Sequence, residues 1–150
     1  MDHQSSAGEA VGRPAPGGGA GSKDTSRSAC GSGASFAHVR PVDPEVLYGG
    51  DPAVRAKQVL LDTASGAEQL NLALIRTPPG SGSPEGLHVH PFEQAFYVVA
   101  GTMTVEAGGE VHEVPAGNVV VFPAGQPHRN WNAGTLDTVH LAIGAPAMLV

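Results

Sequence analysis

From about residue 57 the chain alternates short apolar runs with breaks rich in Gly and Pro. The run "EQLNLALIRTPPG" places Leu70, Leu72 and Leu74 at every second position and stops at Pro78-Pro79-Gly80, as a strand with one apolar face would. A first strand is expected before it, near Lys57–Thr63. "AFYVVAG" and "TMTVEAG" are apolar, β-branched runs divided by Gly101, and they predict a hairpin. "EVHEVPAG" follows the turn at Gly108-Gly109, and "NVVVFPAG" and "LDTVHLAIG" complete the series. The pattern amounts to about eight short strands spaced by roughly 8–12 residues, which suggests an all-β sandwich or a closed barrel. No amphipathic helix of useful length and no internal repeat is evident.

The first 35 residues break this pattern. "GRPAPGGGAGSKDTSRSACGSGAS" is almost entirely Gly, Ser, Ala and Pro, too poor in large apolar groups to offset chain entropy, so residues 1–35 are expected to be a disordered tail. Residues 36–150 then form one domain. Its opening part, residues 36–62, mixes Pro with apolar residues and is expected to wrap onto the domain edge.

Composition narrows the function. With 21 Gly and 13 Pro in 150 residues, turns and short strands are favoured over long helices. A net charge of −6 with no basic patch makes nucleic acid an unexpected partner. The lone Cys30 excludes an intrachain disulfide framework and any multi-cysteine zinc site. No apolar run is long enough to span a bilayer and no apolar signal segment opens the chain, so a cytoplasmic protein without a membrane partner is expected.

The chemistry is concentrated in "GLHVHPFEQAFYVVAG". Residues i and i+2 of a strand point the same way, so His88 and His90 face one side together. Two neutral imidazoles converging on one point are a natural pair of metal ligands. Gln94, Phe96 and Val98 keep the same parity. A third imidazole, His128, follows a buried-looking run and a Pro-Ala-Gly turn in "NVVVFPAGQPHRNWN", where a closed barrel could bring it beside His90.

The framework around these residues resembles the cupin family. The first motif of cupins, G-x5-H-x-H-x3,4-E-x6-G, is matched by Gly82, His88, His90, Gln94 and Gly101. The second, G-x5-P-x-G-x2-H-x3-N, is matched by Gly117, Pro123, Gly125, His128 and Asn132. Every fixed position agrees except the glutamate, which is Gln94. The resemblance, over about residues 57–145, implies a double-stranded β-helix, or jelly-roll barrel, of two antiparallel sheets enclosing one divalent transition metal (Fe, Mn, Ni, Zn, Co or Cu). It implies His88, His90 and His128 as ligands with Gln94 in the carboxylate's place; Glu93 or a water is the alternative fourth ligand. A neutral Gln leaves the dication's charge uncompensated, which favours an anionic or chelating substrate.

Other polar groups are given plainer expectations. His140, between Val139 and Leu141, is expected at the solvent surface or an interface, with a proton-shuttle position inside the barrel as the alternative. Arg76 could hold a substrate carboxylate at the barrel mouth. His112 should lie on the surface, Arg129 should point away from the metal, and Trp131 and Tyr97 should pack or serve a dimer contact. Phe96, Val98 and Phe122 are candidates for an apolar pocket wall. No nucleophile elbow, P-loop or dinucleotide-binding motif is present, so no organic cofactor is expected and no catalytic residue can be named. The resulting expectation is a small metal-dependent enzyme acting on a small, polar, oxygen-bearing substrate; the ligand set alone does not choose the reaction, and the resemblance to cupins tilts it slightly toward oxygenase chemistry. The alternatives are metal-assisted isomerisation or cyclisation, and a non-catalytic module that binds a small ligand or metal. A homodimer is expected, because a small barrel with one exposed sheet usually needs further burial.

Overall fold

The computed structural model describes residues 39–146, and the tail expected at 1–35, with Cys30, lies outside them. The described residues form one short helix, one turn of 3-10 helix and eight strands. The strands are β1 (Ala56–Leu61), β2 (Asn71–Thr77), β3 (Glu93–Ala100), β4 (Thr102–Ala107), β5 (Glu110–Pro115), β6 (Val119–Phe122), β7 (His128–Trp131) and β8 (Thr138–Ala145). Five pair in the order β1-β2-β8-β3-β6 and three in the order β5-β4-β7, all antiparallel. The two antiparallel sheets of a jelly roll are therefore present, as the motifs implied.

The core lies between the sheets. Phe96, Val98 and Phe122 from the larger sheet pack with Met103, Val105 and Val114 from the smaller one, and Phe122, Met103, Val98 and Val105 are fully buried. Each such side chain contributes about 1.5–3 kcal/mol by leaving water. The larger sheet is covered on its other face too. There α1 (Pro44–Tyr48), capped by the Asp43 carboxylate on the Glu45 amide, lays Leu47 against Leu74 and Val139. The described part of the opening segment, residues 39–62, thus reaches the domain edge through this helix and β1.

The turn at Gly108-Gly109 closes the β4–β5 hairpin, with Ala107 opposite Glu110 and both glycines at positive φ. The hairpin expected at Gly101 does not form. β3 and β4 belong to different sheets, and the chain crosses from one to the other at this single residue. One linking residue is too short for a two-residue hairpin turn. Gly101 instead turns a corner at φ 73°, and a Cβ there would stand 2.5 Å from the Asp137 carbonyl oxygen.

Arg76 also departs from expectation. It shares a face with Leu72 and Leu74, but that face looks toward α1 and away from the space between the sheets. Its Nε donates to the Leu47 carbonyl at 2.6 Å, and its terminal nitrogens donate to the carbonyls of Pro52 and Val54 and to the Asp137 carboxylate. Arg76 is therefore a buried staple that holds the segment before β1 on the sheet, with no part at the barrel mouth.

Candidate metal centre

The segment before β3 runs beside β7. His88 and His128 form an isolated antiparallel bridge, each amide donating to the other's carbonyl, at 3.0 and 2.9 Å. The backbone alone therefore sets these two histidines side by side. His90 is tied in by the Gly125 amide, which donates to its carbonyl at 2.9 Å. Gln94 lies near the start of β3, opposite Phe122 on β6 and Gly144 on β8.

The side chains converge. One nitrogen from each of His88, His90 and His128 lies within 4.8 Å of the others, a grouping that could hold a metal ion. The Gln94 Oε1 lies 3.2 Å from Nε2 of both His90 and His128. In each ring Nδ1 meets a backbone carbonyl two residues away: Gly86 for His88 at 2.9 Å, Phe92 for His90 at 2.8 Å and Gln126 for His128 at 2.8 Å. A carbonyl only accepts, so each Nδ1 carries the proton and each Nε2 presents a bare lone pair. Three lone pairs and an amide oxygen then face one small volume, an arrangement that repels itself unless a cation lies between them. The donor set fits a divalent transition metal on this ground.

Neighbouring rings fix the orientation. Phe92 stacks on His90 at 3.9 Å between centroids with planes 2° apart, and Phe122 stacks on His128 at 4.2 Å and 13°. Gly144 leaves room for Phe92, since a Cβ there would come within 3.1 Å of that ring. His128 is fully buried, and burial pushes its pKa below the ordinary value; His88 and His90 add to this and the Gln126 carbonyl opposes it. The imidazole stays neutral at neutral pH, the form that can bind a metal.

A cavity of about 570 Å³ opens beside His88, His90 and Gln94, with His128 buried behind them. Phe92, Phe96, Ile75 and Ala142 supply apolar wall, and Arg55, Lys57, Ser83 and Glu85 supply polar groups. Of the residues expected to form the wall, Phe96 does so, Phe122 backs His128 and Val98 sits in the core. Glu93 is exposed and is not among the lining residues. His112 is exposed beside Glu110, Arg129 pairs outward with Glu106 and lies over Trp131, and Tyr97 is partly exposed.

The placement of His140 at the surface is overturned. It is fully buried on the inner face of β8, between Ile75 and Val98 in register, with its ring 4.8 Å from Phe96. It does not line the cavity. Arg55, Lys57 and Glu85 were missed by the sequence reading. The signal for the two cations was their i, i+2 spacing, Arg55 just before β1 and Lys57 within it, which becomes legible once Lys57 is seen opposite Ile75.

The fold recurs in known proteins. A family model described as "Cupin domain" matches residues 73–144. Polyketide synthase CurC of Streptomyces cyaneus is 32% identical over 112 residues, covering 72% of this chain and 69% of that protein. The chain belongs to the cupins. Among solved structures, this cupin is similar to the polyketide cyclase RemF from Streptomyces resistomycificus, with 26% identity and a TM-score of 0.55 over 61% of this chain and 64% of that one. It shares its fold with TT1209 from Thermus thermophilus, at a TM-score of 0.61 over 73% of this cupin and all of that chain, with 24% identity. No helix among the described residues is long and apolar enough to cross a membrane.

Proposed function

We propose that this cupin is a metal-dependent enzyme that promotes cyclisation or isomerisation of a small, carbonyl-bearing substrate, with His88, His90, His128 and Gln94 as the metal ligands. The observation that carries the reading is the convergence of three bare Nε2 atoms and the Gln94 oxygen, with every Nδ1 occupied by a carbonyl. A divalent transition metal held there supplies Lewis acidity at a substrate oxygen. The chain's own residues do the rest. The Nδ1 bonds and the stacked Phe92 and Phe122 hold the rings in one pose, and Phe96, Ile75 and Ala142 keep part of the cavity wall dry. Glu85 gives the cavity an acidic group able to move a proton, which a purely binding module does not need.

The choice of carbonyl chemistry over oxygenation rests on likeness to polyketide synthase CurC and the polyketide cyclase RemF. The assembly proposed is a homodimer, to be read by light scattering. The function is tested by metal analysis of protein purified without added metal, followed by turnover of a linear tricarbonyl compound with oxygen uptake recorded in parallel. The expected result is stoichiometric metal, loss of that metal in His128→Ala, and a cyclised product without oxygen consumption. Stoichiometric oxygen uptake would replace this reading with an oxygenase.

A further inference from the structure

Two arginines of this cupin are drawn inside, and they are used differently. Arg76 is surrounded by acceptors that its fold supplies. Arg55 lines the cavity beside the candidate ligands, and its Nε is shut off from solvent with no hydrogen-bond partner. Lys57, two residues further along, lines the same cavity. The chain has eight basic side chains against fourteen acidic ones, so two cations on one cavity wall do not follow from composition. The acidic residue that lines the cavity with them is Glu85, which interacts electrostatically with Arg55. The three groups sum to one positive charge. A buried donor left without an acceptor is unfavourable, more so when it is charged, and an incoming oxyanion would relieve that cost.

We infer that Arg55 and Lys57 form a carboxylate-holding subsite, so that the substrate carries an anionic carboxylate at one end and a metal-chelating oxygen pair at the other. This deepens the proposed function and rests on its metal site for the chelating end. A net single positive charge suits a carboxylate monoanion better than a phosphate dianion. The guanidinium fork of Arg55 supplies directional bonds and the Lys57 ammonium adds a point charge. Because the subsite fixes where the carboxylate lies, it also selects which end of the substrate reaches the histidines.

The test compares two probes by calorimetry. 2-Hydroxyglutarate and 2-hydroxypentanoate share a chelating hydroxy-acid end, and only the first has a distal carboxylate. The metal-loaded wild type is expected to bind 2-hydroxyglutarate at least about ten-fold more tightly, the scale of one charge-assisted contact. Arg55→Met should lower the ratio several-fold, and Arg55→Met with Lys57→Met should bring it to about one, while metal content stays unchanged; Arg55→Lys should restore part of it. Each variant is checked for native circular dichroism and melting temperature. A wild-type ratio near one, or an undiminished ratio in folded Arg55→Met, would overturn the subsite. If the wild type takes up no metal, the metal reading fails instead, and the same ratio measured on metal-free protein still decides the role of Arg55.

Discussion

The buried His140 gives the sharpest test of the packing. Its side chain is fully enclosed, both ring nitrogens lack hydrogen-bond partners, and its pKa is lowered from 6.5 to about 4 by burial, with the nearby Arg55 charge adding to the effect. The folded-state value lies below the unfolded one, so between the two the unfolded chain holds the extra proton. Stability from this residue is therefore intact above about pH 6.5 and is lost as pH falls toward about 4. Integrating that shift gives a loss of about 2–3 kcal/mol at roughly pH 4.5 and almost none at about pH 7.5. His140→Leu removes the titrating group and keeps a side chain of similar reach. At about pH 7.5 it should be neutral or slightly stabilising, because the imidazole leaves both ring nitrogens unsatisfied there. At about pH 4.5 the variant should exceed the wild type by a further 2 kcal/mol or so. Urea unfolding at both pH values, analysed as the difference between the two proteins, cancels the contributions of the other histidines. A difference that stays flat with pH would refute the placement of a neutral, desolvated His140.

Three further outcomes follow from the described contacts. Arg76→Met strands several carbonyls and the Asp137 carboxylate and should cost about 3–5 kcal/mol, with hydrogen exchange accelerating first in residues 44–55. Gln94→Glu adds a negative charge to a neutral ligand set; metal should bind about ten-fold more tightly and turnover should fall, as read by competition with a chelator and by steady-state assay. Gly101→Ala places a Cβ 2.5 Å from the Asp137 carbonyl oxygen at a positive φ, and a melting-temperature drop equivalent to about 2 kcal/mol or more is expected.

The strands and the clustering of the histidines were legible because they rest on short-range rules. Alternation marked β2, the paired glycines marked the β4–β5 turn, and the i, i+2 spacing set His88 and His90 on one side. What failed was knowledge of what lies across each face. In β8 both faces are covered, so Val139 near α1 and His140 between the sheets are both buried although they point opposite ways, and alternation no longer separates inside from outside. Arg76 was assigned to the right face for the same reason that its neighbours were, but α1 occupies that face and the cavity does not. Gly101 signalled a break without saying which sheet the next strand would join. Arg55 and Lys57 acquire meaning only from the pairing of β1 with β2, a contact that no local pattern encodes.

The reciprocal main-chain bonds between positions 88 and 128 have a consequence for how such a centre can change. Their geometry belongs to the peptide groups, so the side chains at those two places can be exchanged without disturbing the frame that presents them. Single replacements at either place would therefore alter what the frame presents while leaving the reciprocal bonds that build it intact.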